Sequence, residues 1–513
     1  MKQWIKDAIV YEIYPISFYD SNGDGLGDLN GITQKIPYLV DLGINTVWLN
    51  PFYQSPFRDG GYDITDYYTV DKRFGTMADF ENMINTFHKF GIRVIVDLVI
   101  GHTSDEHKWF VKSKQAKPDP KYKDWYVWTD SNFTPAERSI KGVSKRDGNY
   151  IVNYYAFQPA LNYGFNEIKA GEERWQWHYT DERLKPLRDE IINIIRFWLN
   201  KGVDGFRVDL ANSLVKADKN RAGVKWFWSI VIDAAKKINP DCCFLAEWGD
   251  PVKAAECGFD LDYLSHATQP YNELFRSDKG TNLTAWLERA GNSYFAENGK
   301  GTFKNFLSYV TEIFKNPQAG YSIPTGFHDI IRIAEKKDVG LLKCIFAFIL
   351  TFKCIPQIYY GDEIGIKHNY RLNKDGGYLR TGARTPMQWD NSTYRGFTRA
   401  KRAYLPTETA KTRCVESQIK DEKSLLNAVK KLIALHRAYP QFSYDADFEM
   451  LNDGYPLEFI RKTQGESIYV AINPTGAEYE LSKETKEVLY SESVEAQEKT
   501  IKLKKYGFIV AKI

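Results

Sequence analysis

Short, mostly apolar runs at residues 8–14, 44–49, 92–99, 203–208 and 244–246 alternate with longer stretches whose apolar positions recur at helical spacing, at 35–42, 77–90, 187–199 and 226–238. Near-continuous apolar strands are covered on both faces, and such strands alternating with amphipathic helices build a parallel sheet. Residues 321–325 and 357–360 supply the last strands. The rhythm breaks after His102. From 103 to about 173 the chain is irregular, rich in Pro, Asp, Lys, Tyr and Trp, and too long for an ordinary connection, which predicts an excursion domain beside the strand ends. A last amphipathic helix at 424–437 precedes alternating segments at 467–472 and 507–511, a small antiparallel β domain. The pattern predicts a (β/α)8 TIM barrel with an excursion domain after its third strand. The expected boundaries are 1–102 and 175–437 for the barrel, 103–174 for the excursion and 438–513 for the C-terminal domain.

Composition narrows this picture by exclusion. A net charge of +3 over 513 residues offers no field for gathering nucleic acid. The most apolar run, 344–352, lies between Lys343 and Lys353 and is far short of the ~20 residues of a membrane span. It reads as a buried barrel helix. The N-terminus runs almost directly into a strand without a signal-peptide pattern, and the six cysteines show no metal-ligand spacing, so a cytoplasmic protein with reduced core thiols is expected. Aromatic residues make up 15%, which suits sugar stacking and equally a large core built with Tyr and Phe.

Chemistry gathers at the ends of the predicted strands. Alternate strand residues share a face, so Arg207 and Asp209 in GFRVD both point into the barrel mouth, where the cation is expected to keep the carboxylate ionised as a nucleophile requires. Glu247 in FLAEW follows an apolar strand and precedes Trp248, a setting that keeps a proton on a general acid. If these two carboxylates close neighbouring strands ~4.8 Å apart, their separation of about 5 Å is that of a retaining glycosidase. His328 and Asp329 end a later strand, where a third carboxylate can hold sugar hydroxyls and steady an oxocarbenium-like transition state. Asp97 and His102 end an earlier one, and a neutral imidazole there can donate to a hydroxyl. In the loop DSNGDGLGD, Asp20, Asn22, Asp24 and Asp28 with the Leu26 carbonyl have the oxygen donors for a structural Ca²⁺, although Gly31 stands where an EF-hand needs Glu.

The segments GYDITDYY, DLVIGHTSDEH, GFRVD, FLAEW and FHD, in this order, resemble the signature regions of the α-amylase superfamily, glycoside hydrolase family 13, over nearly the whole chain. The resemblance implies Asp209 as nucleophile, Glu247 as acid and base, and Asp329 as transition-state stabiliser. It places Tyr62 beneath the reacting sugar, with His102, Arg207 and His328 around it. SPFRDGGYDI and GARTPMQWD resemble the α-glucosidase and oligo-1,6-glucosidase branch, in which the residues matching Asp59 and Arg384 bind terminal glucose and close the cleft behind it. Similar α-glucosidases also carry a structural cation in the loop after the first strand.

Three positions depart from the usual pattern: Gly101 and Phe327 stand where Asn is common, and Ala160 where Asp is common. Loss of these oxygens argues against the calcium that many α-amylases hold between barrel and excursion. Leu210, after the nucleophile, matches neither common choice that tracks α-1,4 or α-1,6 preference. The expected function is a retaining exo-α-glucosidase acting on a small oligosaccharide or disaccharide, with no organic cofactor and no nucleic-acid or membrane partner. The alternatives are a glucosyl transferase or sugar isomerase, an endo-acting amylase, and a catalytically silent carbohydrate-binding accessory protein.

Overall fold

A computed structural model describes residues 1–276, 292–497 and 499–513. Among these residues eight parallel strands close into a barrel. They are β1 Val10–Ile13, β2 Thr46–Leu49, β3 Arg93–Leu98, β4 Gly205–Val208, β5 Cys243–Ala246, β6 Leu261–Tyr263, β7 Tyr321–Pro324 and β8 Ile355–Tyr359, with β8 returning to pair with β1. The apolar pattern anticipates seven of them. β6 escapes it because it is three residues long with an acid at its centre: Asp262 is buried and its carboxylate accepts the Trp248 N–H at 2.9 Å.

Register decides what meets at the mouth. Asp97 of β3 lies level with Arg207 of β4, and Arg207 with Leu245 of β5. Val208 is level with Ala246, so Asp209 and Glu247 leave adjacent strands side by side. The helices are fastened where the sequence supplies caps. Asp28 caps Leu29–Leu42 by accepting the Gly31 N–H, and Thr76 with Asp79 forms a reciprocal capping box on Met77–Lys89. The helix Val339–Thr351 is buried almost all round because it lies between the helix Leu425–Ala438 and the C-terminal sheet.

That sheet comprises β9 Asp447–Asn452, β10 Leu457–Thr463, β11 Glu466–Ile472, β12 Tyr479–Ser482, β13 Glu487–Ala496 and β14 Thr500–Lys512. Its antiparallel order is β9-β10-β11-β14-β12, and β13 also pairs with β14. The excursion after β3 holds one short helix, Lys108–Ser113, and a small hairpin, Ser139–Ile140 with Tyr150–Ile151. Its core is aromatic, with Trp109 against Trp125 at 4.6 Å and Phe110 against Tyr126 at 5.0 Å, so much of the aromatic content is packing. It is stitched to the barrel by a bridge between His102 and Ala160 and by the Leu161 N–H donated to the Gly101 carbonyl at 3.1 Å. None of the described helices is long and apolar enough to cross a membrane.

Candidate active site

A cavity of about 530 Å³ opens at the C-terminal ends of the strands, lined by Asp59, Tyr62, His102, Asp209, Glu247 and Asp329 among others. This volume is within the range of small-ligand sites, and the strand ends are where barrel enzymes carry their chemistry. Asp97, Arg207, His328 and Arg384 stand one layer behind the wall, each bonded to a wall residue or its neighbour.

Arg207 is the hub. Its guanidinium pairs with Asp97, with Asp209 at 3.1 Å and with Glu247 at 2.6 Å, while donating to the Tyr263 hydroxyl at 2.8 Å. Sharing one cation among three carboxylates changes the electrostatics expected from sequence. Burial and the adjacent Glu247 push Asp209 well above the ordinary carboxylate range, and Arg207 opposes this only in part. Glu247 is also held by the Leu210 N–H, donated to its Oε2 at 3.1 Å. Leu210 makes that bond from a left-handed backbone, φ 47°, an uncommon conformation for a residue with a Cβ and one that concentrates at functional sites.

Asp329 is the reverse case. Burial alone would raise it, but the guanidinium charges of Arg380 (3.1 Å) and Arg384 (2.7 Å) hold it well below the carboxylate range. It is a fixed negative charge on the cavity wall. The imidazole of His328 is kept neutral by burial, with Nδ1 bonded to the buried Glu12 at 2.9 Å. Tyr62 lies flat on it, with centroids 5.0 Å apart and an interplanar angle of 13°, leaving its other face to the cavity. Asp97 fixes that ring by accepting the Tyr62 hydroxyl at 3.1 Å.

His102 lines the cavity, but its donor is committed. Burial lowers it to about 4, so the ring is neutral, and with Asn153 bonded to Nδ1 at 3.2 Å its Nε2–H is donated to the Tyr62 carbonyl at 3.1 Å. It positions Tyr62 and has no free N–H for a sugar hydroxyl. Asn153 also explains Gly101, since a Cβ there would come within 2.9 Å of the Asn153 amide nitrogen, which donates instead to the Gly101 carbonyl at 2.9 Å. Lys216, lowered to about 8 by burial, donates to the Asn153 oxygen at 3.2 Å, so a lysine and an amide fill this junction of excursion and barrel. Phe327 does not line the cavity. It packs edge-on against Tyr263 at 5.4 Å and backs His266 at 6.1 Å.

Around Asp59 the structure adds a residue to the two that the sequence singles out. Asp59 and Arg384 are both buried, but the guanidinium that meets Asp59 is that of Arg380, at 3.3 Å. Arg380 simultaneously binds Asp329, the Tyr155 hydroxyl at 3.1 Å and the Gly376 carbonyl at 3.1 Å. Arg384 is a strut beneath, bonded to Asp329 and, through Nε, to the His328 carbonyl at 3.0 Å. Gly376 permits the close approach of these two segments, because a Cβ there would strike the Arg58 carbonyl at 2.2 Å. Burial pushes Asp59 up to about 6, with Arg380 and Arg384 opposing it, and Gln158 donates to its other oxygen at 2.7 Å. Arg380, Gln158 and Asn153 are the residues that sequence reasoning missed. Arg380 lies four places before Arg384 in the same segment, and Gln158 begins QPALN, so both carried a signal.

In the 20–28 loop Asp20 already accepts the N–H groups of Asn22 (3.1 Å), Gly23 (2.7 Å) and Gly25 (2.8 Å) and the Thr398 hydroxyl. Asp28 is occupied with Ser21 and the helix cap. Among the described residues no group of three His, Cys, Asp or Glu is arranged to hold a metal ion. The donor types suit calcium, but the arrangement does not fit it until Asp20 exchanges some of these bonds.

Comparison with known proteins identifies the family. The α-amylase catalytic domain matches residues 12–445. Oligo-1,6-glucosidase of Parageobacillus thermoglucosidasius is 29% identical over 92% of this chain and 90% of its own. Alpha-amylase 3 of Dictyoglomus thermophilum is 31% identical over 99% of this chain and 94% of its own, and trehalose synthase/amylase TreS of Mycolicibacterium smegmatis is 30% identical over 90% and 80%. The trehalulose synthase MutB of Pseudomonas mesoacidophila MX-45 shares the fold across the full length of both chains, with a TM-score of 0.82 at 23% identity. The chain belongs to the α-amylase family, glycoside hydrolase family 13, with oligo-1,6-glucosidases and an α-glucosidase among its relatives.

Proposed function

We propose that the protein removes terminal α-linked glucose from short α-glucosides with net retention. Asp209 attacks the anomeric carbon as the bond to the leaving group breaks, and Glu247 gives its proton to the departing oxygen. Glu247 then takes a proton from water, whose oxygen displaces Asp209 from the glycosyl enzyme. The Leu210 N–H keeps Glu247 in place between the two steps. Asp329, held ionised by two arginines, meets the positive charge that develops on the ring, while Asp97 and His102 hold Tyr62 beneath it.

The observation that supports exo action is the single guanidinium of Arg380 bonded to Asp59, Asp329 and Tyr155, which this reading takes as a wall at the end of the cavity where an endo-acting enzyme needs an open groove. A second reading, glucosyl transfer or isomerisation, draws support from the trehalose synthase/amylase relatives, since it uses the same glycosyl enzyme with a sugar in place of water. A time course with maltose, isomaltose, sucrose and soluble starch, with products separated by chromatography and the anomer of released glucose read by NMR, tests both. Early α-glucose from a disaccharide with starch little touched is the expected result. New disaccharides favour transfer, long oligomers from starch overturn exo action, and binding without turnover favours a silent carbohydrate-binding role. The six cysteines are all free and buried, which supports work in a reducing compartment such as the cytoplasm.

A further inference from the structure

Glu12, on β1, takes no step in the reaction proposed above, yet it is buried beneath the site and bonded to it. Its Oε1 lies 2.9 Å from Nδ1 of His328 and accepts the Asn50 amide at 3.1 Å and the His328 backbone N–H at 3.3 Å. Among the described residues its Oε2 has no hydrogen-bond partner, and no Lys or Arg pairs with either oxygen, the Arg207 guanidinium being engaged with Asp97, Asp209 and Glu247. A carboxylate placed here would be a buried charge with one bare oxygen. A carboxylic acid leaves only a bare carbonyl, which costs far less.

The direction of each hydrogen bond follows from the ion pair of Arg207 and Asp97. Asp97 accepts the Tyr62 O–H at 3.1 Å, so the Tyr62 oxygen offers Asn50 a lone pair at 3.2 Å and meets the NH2 end of that amide. The same amide nitrogen is 3.1 Å from Nδ1 of His328, which therefore faces it as a lone pair. The proton of this neutral ring is then on Nε2, 3.5 Å from the Asp329 carboxylate. With Nδ1 bare, the 2.9 Å contact to Glu12 has a hydrogen only if the carboxyl supplies it.

The surroundings agree with a protonated Glu12. Burial first pushes it well above the ordinary carboxylate range and Asp97 adds to this, while the Asn50 amide, the Arg207 charge and the His328 N–H oppose it. The other titratable groups facing it are the hydroxyls of Tyr263, Tyr271, Tyr359 and Tyr360, all pushed up and neutral. Tyr14 and Tyr62 lie nearly parallel to the imidazole, at 4° and 13°, so packing sets the plane of the ring and leaves its tautomer to the bond at Nδ1.

We infer that Glu12 is a positioning residue: it donates a carboxyl O–H to Nδ1 of His328 and so holds the ring as the tautomer whose Nε2–H is turned to the Asp329 carboxylate. The other tautomer would set a lone pair against that charge. This rests on the proposed function for the task of Asp329, and it names the group that places the proton on the imidazole beside it.

Two spectra test the proton without any substrate. The infrared difference between wild type and Glu12→Gln at pH 7 is expected to show the C=O stretch of a protonated carboxyl in the wild type alone. In protein carrying ¹⁵N-labelled histidine, with His328 assigned among the eight histidines by its loss in His328→Asn, Nε2 is expected to carry the proton and Nδ1 to be bare. Absence of the carboxyl band, or a proton on Nδ1, overturns the proposal. On an aryl α-glucoside, Glu12→Met is expected to lower kcat/KM about tenfold, mainly through kcat, whereas Glu12→Gln, whose amide still donates to Nδ1, stays within about threefold of wild type. Equal losses in the two variants overturn the positioning role in favour of packing alone. Should Glu12→Met melt early, the spectra of wild type and Glu12→Gln decide the matter. Wild-type protein with no turnover overturns the hydrolase reading itself, a separate outcome that leaves both spectra to be read.

Discussion

Replacing Arg380 by Met removes the one group among the described residues that is paired with both Asp59 and Asp329. Asp59 ionises at about 6 against an ordinary 3.8, about 2 pH units at ~1.4 kcal/mol each, so keeping its charge in this buried place already costs ~3 kcal/mol. Arg380 is the largest influence holding it that low, and without it the carboxyl stays protonated to higher pH. Two charge-assisted contacts, at 3.3 and 3.1 Å, disappear together. Each is worth roughly 1.5–3 kcal/mol, and the 23% exposure of the Arg380 side chain puts them at the low end. The expected loss is about 3 kcal/mol, or on the order of 100-fold in kcat/KM. The sign of the pH effect follows from the proposed role: if an ionised Asp59 binds glucose hydroxyls, activity rises with pH through about 6, and in the variant that acid limb moves to higher pH. Arg380→Lys reaches only one partner at a time and should fall between the two. The assay is kcat/KM on an aryl α-glucoside from pH 4 to 9. A loss below about fivefold with the acid limb unmoved refutes the role given to Arg380.

Asp209→Ala and Glu247→Gln are each expected to lower turnover by about 10³-fold or more without lowering the melting temperature by circular dichroism, since each relieves repulsion within the pair. Glu363 is fully buried and pushed up to about 7, opposed by the Tyr11 and Tyr38 hydroxyls at 2.7 Å each. Between about pH 4.5 and 7 the folded protein holds a proton that the unfolded chain has released, so stability falls as pH rises through that window and levels off above it. Glu363→Gln should flatten this slope in urea unfolding at pH 5 to 8, and equal slopes in both proteins contradict it. Calcium in the 20–28 loop remains a proposal from its oxygen donors, and EDTA should then lower the melting temperature with Ca²⁺ restoring it. An unchanged curve leaves the loop as a self-bonded turn.

Much of this was legible in the chain because the barrel imposes its period on the sequence. β-strand ends at Asp97, Arg207 and Glu247 fall where apolar runs stop, and register places Asp209 beside Glu247 as neighbouring strands require. β6 was hidden because three residues around Asp262 carry no apolar period. The choice between Arg380 and Arg384 was hidden for another reason: both lie in one irregular segment, and only the fold decides which guanidinium meets Asp59 and which becomes a strut. Similarly, Gly101 reads as a lost ligand in the sequence, whereas in three dimensions its missing side chain is the space that Asn153 fills.

The most direct test of the account is to trap the glycosyl enzyme. Incubation with 5-fluoro-α-glucosyl fluoride, followed by proteolysis and mass spectrometry, should find the sugar on the peptide containing Asp209, with fragmentation placing it on that carboxylate and with slow release as activity returns. Label on Glu247 or Asp329, or inactivation with no covalent adduct, contradicts double displacement through Asp209.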